Sequence, residues 1–210
     1  MNSADELLRD AAEWRLISLL FDCPKGDWFK QVDELGRQVT DKKLKKAAKA
    51  AGKEASEGLF HSIFGPGGPA PGREVSYRSW VEPGYMLSEL SAFYSAFSYH
   101  AGSGEVPDHI AVETGFIAYL RLKELYAREN GDDESAAITV EAASRFTAEH
   151  ITKYAQKLKK LLAASGLEYL QLAGEVLFER VGPDKDKEIK TFLPVLEDAE
   201  DSLFECGVGV

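Results

Sequence analysis

The chain has 210 residues, 44% of them hydrophobic and 29% charged, and its formal net charge is −10. This length predicts one domain or two small ones with a core that needs no disulfide or metal, and the many leucine and aromatic residues exclude global disorder. No apolar run reaches the roughly 20 residues that a bilayer requires, and the negative charge argues against nucleic acid as a partner because phosphate binding needs a basic surface.

Helical periodicity starts close to the N-terminus. The first residues are acidic and carry no basic secretory signal, so we expect a cytoplasmic protein without stable membrane insertion. A Ser-x-x-Glu capping box at Ser3 opens a first helix, which Pro24 and Gly26 end, and a second amphipathic stretch covers about 28–39. The lysine-rich segment that ends at Glu54 predicts a weak helix with a solvated basic face, because no aromatic side chain is interleaved for stacking on bases.

Residues 65–72 form the clearest break in the helical pattern, since seven of these eight residues are glycine or proline and predict a loop. Residues 75–81 alternate too irregularly for a strand. Beyond them the helical spacing returns, and helices are predicted over about 86–102, 107–128, 136–164, 166–180 and 192–204. Pro107 would stand in the first turn of its helix, where proline is tolerated. Because no strand alternates with these helices, we predict an all-α bundle.

Most motifs for catalysis or cofactor binding are missing from the sequence. There is no nucleophile elbow or phosphate loop, and a Gly-x-Gly-x-x-Ala match within 65–70 lies among prolines that prevent the helix a dinucleotide needs. No histidine follows a glutamate by three residues, which excludes the Glu-x-x-His pairs of a di-iron bundle. The two cysteines, Cys23 and Cys206, are too far apart for a redox pair or a thiolate zinc cage, so we expect reduced thiols.

The segment Glu105-Val-Pro-Asp-His109 is the polar cluster with the most definite predicted geometry. A metal site stays open here, because His109 and Glu113 lie one helical turn apart and Glu105 or Asp108 would add a third ligand, but a single histidine argues against zinc. We therefore expect no metal, no cofactor and no enzyme. Two interpretations of the segment remain. It is a helix cap with His109 packed in the core, or an acidic hinge that receives a cationic peptide, and the spacing favours the cap.

These residues resemble the signature of the TorD/DmsD/NarJ family, cytoplasmic chaperones for the maturation of molybdopterin oxidoreductases. The family pattern reads roughly E-x-P-P-D-H-x-x-x-E-L-x-F-M, and matching positions are held by Glu105, Pro107, Asp108, His109, Glu113 and Phe116. Three further stretches are similar to other family elements: Leu59-Phe-His-Ser-Ile-Phe-Gly-Pro, Glu74-Val-Ser-Tyr77, and Phe146-Thr-Ala-Glu-His150 followed by Tyr154. Departures at Val106, Thr114-Gly115 and Tyr154 leave the client protein open.

The resemblance implies a single TorD-like helical domain over 1–210. Its N-terminal half would cover about 1–102, its hinge about 103–109 and its C-terminal half about 110–210. Such a chaperone binds the N-terminal segment of a molybdopterin oxidoreductase catalytic subunit, often a twin-arginine signal peptide, and holds it for cofactor insertion and assembly before export. A NarJ-like assembly factor for a non-exported molybdoenzyme and a generic helical adaptor are the alternatives, and the protein is expected to be a monomer or homodimer.

The implied contacts with the client peptide follow from its chemistry. Two arginine side chains require carboxylates, which Glu105, Asp108 or Glu113 would supply. The apolar run behind the arginines requires a groove with aromatic walls. The candidates for those walls are Tyr77, Trp80, Tyr85 and Phe116. For each aromatic residue alone, ordinary core packing is the competing interpretation.

Overall fold

The computed structural model describes residues 3–79 and 81–184 and confirms the all-α prediction for them. A 3₁₀ turn covers Glu74–Tyr77, and one π-helical turn at Thr147–Ile151 joins two helices of the second half. No helix in the described residues is long and apolar enough to cross a membrane. The α-helices are α1 (Ser3–Leu20), α2 (Trp28–Gln38), α3 (Lys42–Glu54), α4 (Glu57–Phe64), α5 (Pro83–Ala96), α6 (Ile110–Glu129), α7 (Asp133–Phe146), α8 (Thr152–Ala163) and α9 (Glu168–Val181).

The pairing of α1 with α6 forms the centre of the bundle. The Ser18 hydroxyl of α1 donates a hydrogen bond of 2.8 Å to the carbonyl of Ala111 in α6, where the absence of a side chain on Gly115 lets the helices approach. The α3 helix packs against α9 on the far side of α1. Both pairings run across the predicted boundary at 103–109, so the N-terminal and C-terminal halves share one hydrophobic core.

The lysine-rich helix α3 meets an acidic face of α9. Its apolar side chains are buried as the spacing predicts, including Leu44 and Ala47. Two of its lysines form ion pairs with α9, Lys43 with Glu175 at 3.3 Å and Lys46 with Glu168 at 2.7 Å. Such exposed pairs contribute little stability each, but they give two of the lysines acidic partners within the same chain.

Several predicted boundaries need correction. No helix was predicted over residues 57–64, which entered the sequence analysis only through a stretch similar to a family loop. They form α4, because Phe60, Ile63 and Phe64 recur at helical spacing and are all buried. The helix predicted over 86–102 ends at Ala96, and residues 75–77 belong to a 3₁₀ turn. The capping box at Ser3 stands at the edge of the described residues, and the helix predicted at 192–204 lies outside them together with Trp80 and Cys206.

Pro107 does not occupy the first turn of α6 as predicted. The N-cap residue is His109, two positions later, and its ring Nδ1 accepts a hydrogen bond of 3.3 Å from the amide of Ala111. Pro107 and Asp108 form a turn before this cap, in which the amide of His109 donates a hydrogen bond of 2.9 Å to the carbonyl of Val106. His109 itself is extended and pairs with Arg73 at the end of the glycine- and proline-rich loop. The amide of Glu74 donates to the carbonyl of Asp108 at 2.8 Å, and the amide of Ile110 donates to the carbonyl of Gly72 at 2.9 Å.

Candidate functional site

The carboxylate of Asp108 is already occupied by a cation of the same chain. Asp108 is fully buried, and its two carboxylate oxygens accept hydrogen bonds from Nε of Arg73 at 2.9 and 3.1 Å. The Arg73 side chain is 44% exposed, so it covers the carboxylate from the solvent side. A client arginine would have to displace Arg73 to reach Asp108. The pair therefore fixes the start of α6 to the 72–74 segment rather than presenting an open acidic surface.

His109 is a packed helix cap, as the spacing favours. Its side chain is almost fully buried, and its ring lies 5.9 Å from the ring of Phe60 and 6.2 Å from that of Phe64, measured between centroids. Burial, and to a lesser degree the neighbouring Arg73 charge, lowers the pKa of His109 to about 4. The imidazole is therefore neutral at physiological pH, which suits its role as a hydrogen-bond acceptor at the N-cap.

Gly72 lies directly against the His109 ring. A Cβ atom at this position would stand 2.3 Å from Nε2 of His109, and the ring has little room to move between the two phenylalanines. We expect Gly72→Ala to lower the free energy of unfolding by about 1–3 kcal/mol, as overpacking does. Chemical denaturation measures this loss. The control is Gly58→Ala in α4, whose Cβ meets nothing, and equal stability of the two variants would contradict the packing assignment.

A second buried cluster of polar side chains lies behind the hinge segment. The carboxylate of Glu74 accepts from Arg78 at 2.6 Å and lies 2.9 Å from Nδ1 of His150, and Glu74 and His150 are both buried. Glu113 is also buried there, and its oxygens make no hydrogen bond of normal geometry. Burial, reinforced by the charge of Glu74, raises the pKa of Glu113 well above its ordinary value. Burial thus favours the protonated, neutral form of Glu113, and the hydroxyl of Tyr154 is among its polar neighbours.

Glu74 and His150 were missed as site residues by the sequence reasoning. Both lie in stretches that resemble the family pattern, so the resemblance carried a signal for them. Their partnership is not visible in one sequence because 76 positions separate them along the chain. The structure makes them the buried link between the 3₁₀ turn and the π-helical turn.

Phe116 is the centre of an aromatic cluster in the core. It is fully buried, and its ring lies 4.8 Å from that of Phe146 and 5.0 Å from that of Tyr94, measured between centroids. Phe93, Phe97 and Tyr99 complete the cluster around the same ring. Phe116 has no surface to offer to a peptide in this conformation. It acts as the support on which α5 lies.

The other predicted contact residues are distributed over different surfaces. Tyr77 is half-buried, and its hydroxyl donates a hydrogen bond of 2.7 Å to the carbonyl of Pro71. Tyr85 is 62% exposed at the start of α5, where hydrogen bonding to Glu89 raises the pKa of its hydroxyl. Glu105 is half-buried and Pro107 is exposed. Trp80 lies outside the described residues.

An open groove lies between α5 and α7. Its volume is about 370 Å³. Its floor is apolar, formed by Ala92, Phe93, Ala96, Phe97, Ile138 and Ala142, and its rim carries Glu89, Glu141 and Arg145. The guanidinium of Arg145 already pairs with Glu149 at 3.0 Å and lies over the Phe93 ring. We call this surface the α5–α7 groove, and it continues past Ile138 into a second hollow of about 330 Å³ that reaches Tyr126.

The 103–109 segment contacts α5, which forms one wall of the groove. The hydroxyl of Tyr94 in α5 donates a hydrogen bond of 2.9 Å to the carbonyl of Pro107. Three residues later, at the C-cap of α5, the carbonyl of Phe97 accepts a hydrogen bond of 2.9 Å from the hydroxyl of Tyr119 in α6. Otherwise α5 buries only Met86 and Leu90 along its length. The position of this helix therefore depends on the aromatic cluster and on these hydroxyl contacts.

The metal site considered around His109 is not assembled. The Nδ1 atom of His109 caps α6 and its Nε2 faces Gly72, so neither nitrogen points to a shared position with Glu113. Within residues 3–79 and 81–184, the cluster of potential metal ligands that comes together is a different one, formed by Cys23, Glu57 and His61.

The sequence also matches known proteins over this whole region. The family model for the nitrate reductase delta subunit matches residues 32–160, more than half of the chain. The chain belongs to the nitrate reductase delta subunit family. The matched residues include the Asp108–Arg73 pair, the Glu74–His150 contact and the α5–α7 groove.

A relative supports the same assignment for this delta subunit family member. The chain is 27% identical over 167 residues to the chlorate reductase assembly chaperone protein of Ideonella dechloratans. The aligned residues cover 77% of this chain and 80% of that protein. Together the two matches confirm the resemblance to molybdoenzyme maturation chaperones. Members of this family are assembly chaperones rather than catalysts, in agreement with the expectation that the protein is not an enzyme.

Proposed function

We propose that this delta subunit family member is a cytoplasmic chaperone for a molybdopterin oxidoreductase. It binds the N-terminal segment of the catalytic subunit, in the exported case a twin-arginine signal peptide, and holds the subunit for cofactor insertion and assembly. The family match and the chlorate reductase assembly chaperone as a relative support the class of client. The groove described above supports the mode of binding.

The α5–α7 groove fits an arginine-containing amphipathic peptide by its chemistry. A peptide helix laid along the floor would bury its apolar side chains against Phe93, Phe97 and Ile138, as in other helix-in-groove complexes. The rim carboxylates of Glu89 and Glu141 would receive guanidinium groups, which prefer carboxylates for bidentate contacts. The rim cation Arg145 is paired with Glu149 and so opposes this binding little.

The residues of the 103–109 segment and of the first half of α6 then act by positioning the groove. Asp108, Glu113 and Phe116 are buried, and His109 is almost so, so they hold α6 and α5 in register rather than contact the peptide. Tyr85 and Glu89 lie at one end of the groove, where the Tyr85 ring is exposed for contact. In this proposal Asp108 and His109 matter for client binding because they fix the segment to which Tyr94 is bonded.

A NarJ-like role with a non-exported client is the second candidate, favoured by the description of the matching family. Its client segment would lack the arginine pair, so the apolar floor would carry the affinity and the rim carboxylates would contribute little. The two roles therefore differ in what the rim of the groove does.

Removing the charges of the two rim carboxylates distinguishes a chaperone for a twin-arginine client from one for a non-exported client. We expect the double variant Glu89→Gln, Glu141→Gln to bind a synthetic twin-arginine peptide about tenfold more weakly, a loss of about 1.4 kcal/mol, measured by fluorescence anisotropy. The matched control is Glu134→Gln, an exposed carboxylate of α7 outside the groove. Unchanged affinity in the double variant would contradict arginine recognition at this rim.

The apolar floor needs its own variant. Ile138 is 54% exposed, so Ile138→Asp places a charge on the floor without burying it. We expect this variant to lose affinity for twin-arginine peptides and for peptides without arginines alike. If Ile138→Asp binds both peptides as the wild type does, the groove is not the client site.

A further inference from the structure

Three side chains with different metal-binding atoms converge at the end of α1. Cys23 follows α1, and Glu57 and His61 lie one turn apart on the same face of α4. The Cys23 sulfur, a Glu57 carboxylate oxygen and a His61 ring nitrogen all lie within 4.8 Å of one another. We propose that Cys23, Glu57 and His61 form a binding site for a zinc ion.

The donor atoms select zinc among the common divalent ions. Thiolate and imidazole are borderline-soft ligands that suit zinc, whereas magnesium and calcium prefer oxygen atoms alone. Zinc binds sulfur at about 2.3 Å and nitrogen or oxygen at about 2.0–2.2 Å, so ligands around one tetrahedral ion stand roughly 3.3–3.8 Å apart. The observed cluster needs a small closure. Glu57 and His61 are exposed, so a rotation of their side chains toward the half-buried Cys23 meets solvent rather than the core.

The fourth ligand would be a water molecule or Glu105. The Glu105 carboxylate is outside the three donor groups that lie within 4.8 Å of one another, but Glu105 lines the same cavity as Cys23, a hollow of about 240 Å³ that also contains Asp22. Glu57 belongs to the ligand cluster and Glu105 and Asp22 line this cavity, so three carboxylates lie around the end of α1. A divalent cation would neutralise this accumulation of negative charge.

The local cation is a weak competitor for the site. The Nζ atom of Lys25 lies 3.8 Å from a carboxylate oxygen of Glu57, and both side chains are more than half exposed. An exposed pair at this distance contributes at most about 1 kcal/mol, far less than zinc–ligand bonds. Lys25 therefore moves aside when the ion binds Glu57.

The binding step balances by loss of one proton. The Cys23 thiol gives its proton to solvent as the sulfur–zinc bond forms, the neutral His61 nitrogen donates a lone pair, and the Glu57 carboxylate binds as an anion. No electron is transferred. The bound ion would join the end of α1 to α4 and to the segment that precedes α6, so we expect zinc to raise the melting temperature.

Cobalt and zinc titrations of the chelator-treated full chain test the proposal. We expect one Co²⁺ per chain with a thiolate-to-cobalt charge-transfer absorption and tetrahedral visible bands, both displaced by Zn²⁺. Cys23→Ser is expected to remove the charge-transfer absorption, and His61→Gln to weaken Zn²⁺ binding at least tenfold in equilibrium dialysis. Cys206→Ser and His100→Gln are the matched controls and should bind as the wild type does.

Two outcomes would overturn the site. The first is a wild-type protein that binds Zn²⁺ no better than Cys23→Ser, and the second is a charge-transfer absorption that survives in Cys23→Ser and disappears in Cys206→Ser. Far-ultraviolet circular dichroism establishes that each variant is folded before titration. The site shares no residue with the α5–α7 groove, so the result is independent of the client proposal.

Discussion

Replacing Phe116 with alanine is expected to lower the free energy of unfolding by about 3–5 kcal/mol, the range for truncating a buried aromatic side chain. The Phe116 ring is fully buried and lies against Tyr94 of α5 and Phe146 of α7, so its removal opens a cavity between the two walls of the groove. Denaturant unfolding followed by circular dichroism measures the loss.

The same variant is expected to bind client peptides more weakly even under conditions in which it is folded. The matched control is Phe21→Ala, because Phe21 is also fully buried but packs against Phe64, away from the groove. We expect both variants to lose similar stability and only Phe116→Ala to lose affinity for the peptide. Equal peptide affinity in the two folded variants would contradict the role of the aromatic cluster as the support of α5.

Acidification is expected to weaken the protein through His109. The folded-state pKa of His109 is about 4, below the ordinary value of 6.5, because of burial and the nearby Arg73 charge. As the pH falls, the unfolded chain therefore takes up the proton before the folded protein does. The contribution of the neutral imidazole to the free energy of unfolding is complete above pH 6.5 and is lost as the pH falls through 4. The loss between these limits is roughly 3 kcal/mol.

His109→Asn isolates this contribution, because asparagine still caps a helix but does not titrate. Urea unfolding at pH 7 and pH 4 measures the free energy of unfolding of both proteins. Between these pH values the wild type should lose roughly 3 kcal/mol more than the variant does. His100→Asn at an exposed position is the control and should keep the wild-type pH dependence. A pH-independent difference between wild type and His109→Asn would refute the assignment of a buried neutral histidine.

Much of the helical architecture could be predicted from periodicity and breakers. The interruptions at Pro24 and 65–72 and the spacing of apolar residues in α1, α6 and α9 were sufficient for these elements. The missed helix, α4, is short, and its residues were read through a motif rather than through their own spacing. Phe60, Ile63 and Phe64 at intervals of three and one would have indicated a helical face.

The candidate site was harder to predict because its contacts join distant residues. The spacing favoured His109 as a packed cap, and the structure confirms this. One sequence does not show that Arg73 occupies Asp108 or that Glu74 contacts His150, since these pairs depend on how the loop returns to α6. The groove escaped prediction for the same reason, because Phe93 and Ile138 have the spacing of core residues and only the placement of α5 beside α7 brings them to one open surface.

The central claim is that this chain binds the N-terminal segment of a molybdoenzyme catalytic subunit. The most direct measurement is affinity capture of the tagged protein from its native host under conditions in which molybdoenzymes are expressed, with bound proteins identified by mass spectrometry. We expect recovery of a molybdopterin oxidoreductase catalytic subunit, and loss of that subunit when its N-terminal segment is deleted. Capture that lacks every expressed molybdoenzyme subunit, or that is unaffected by the deletion, would contradict it.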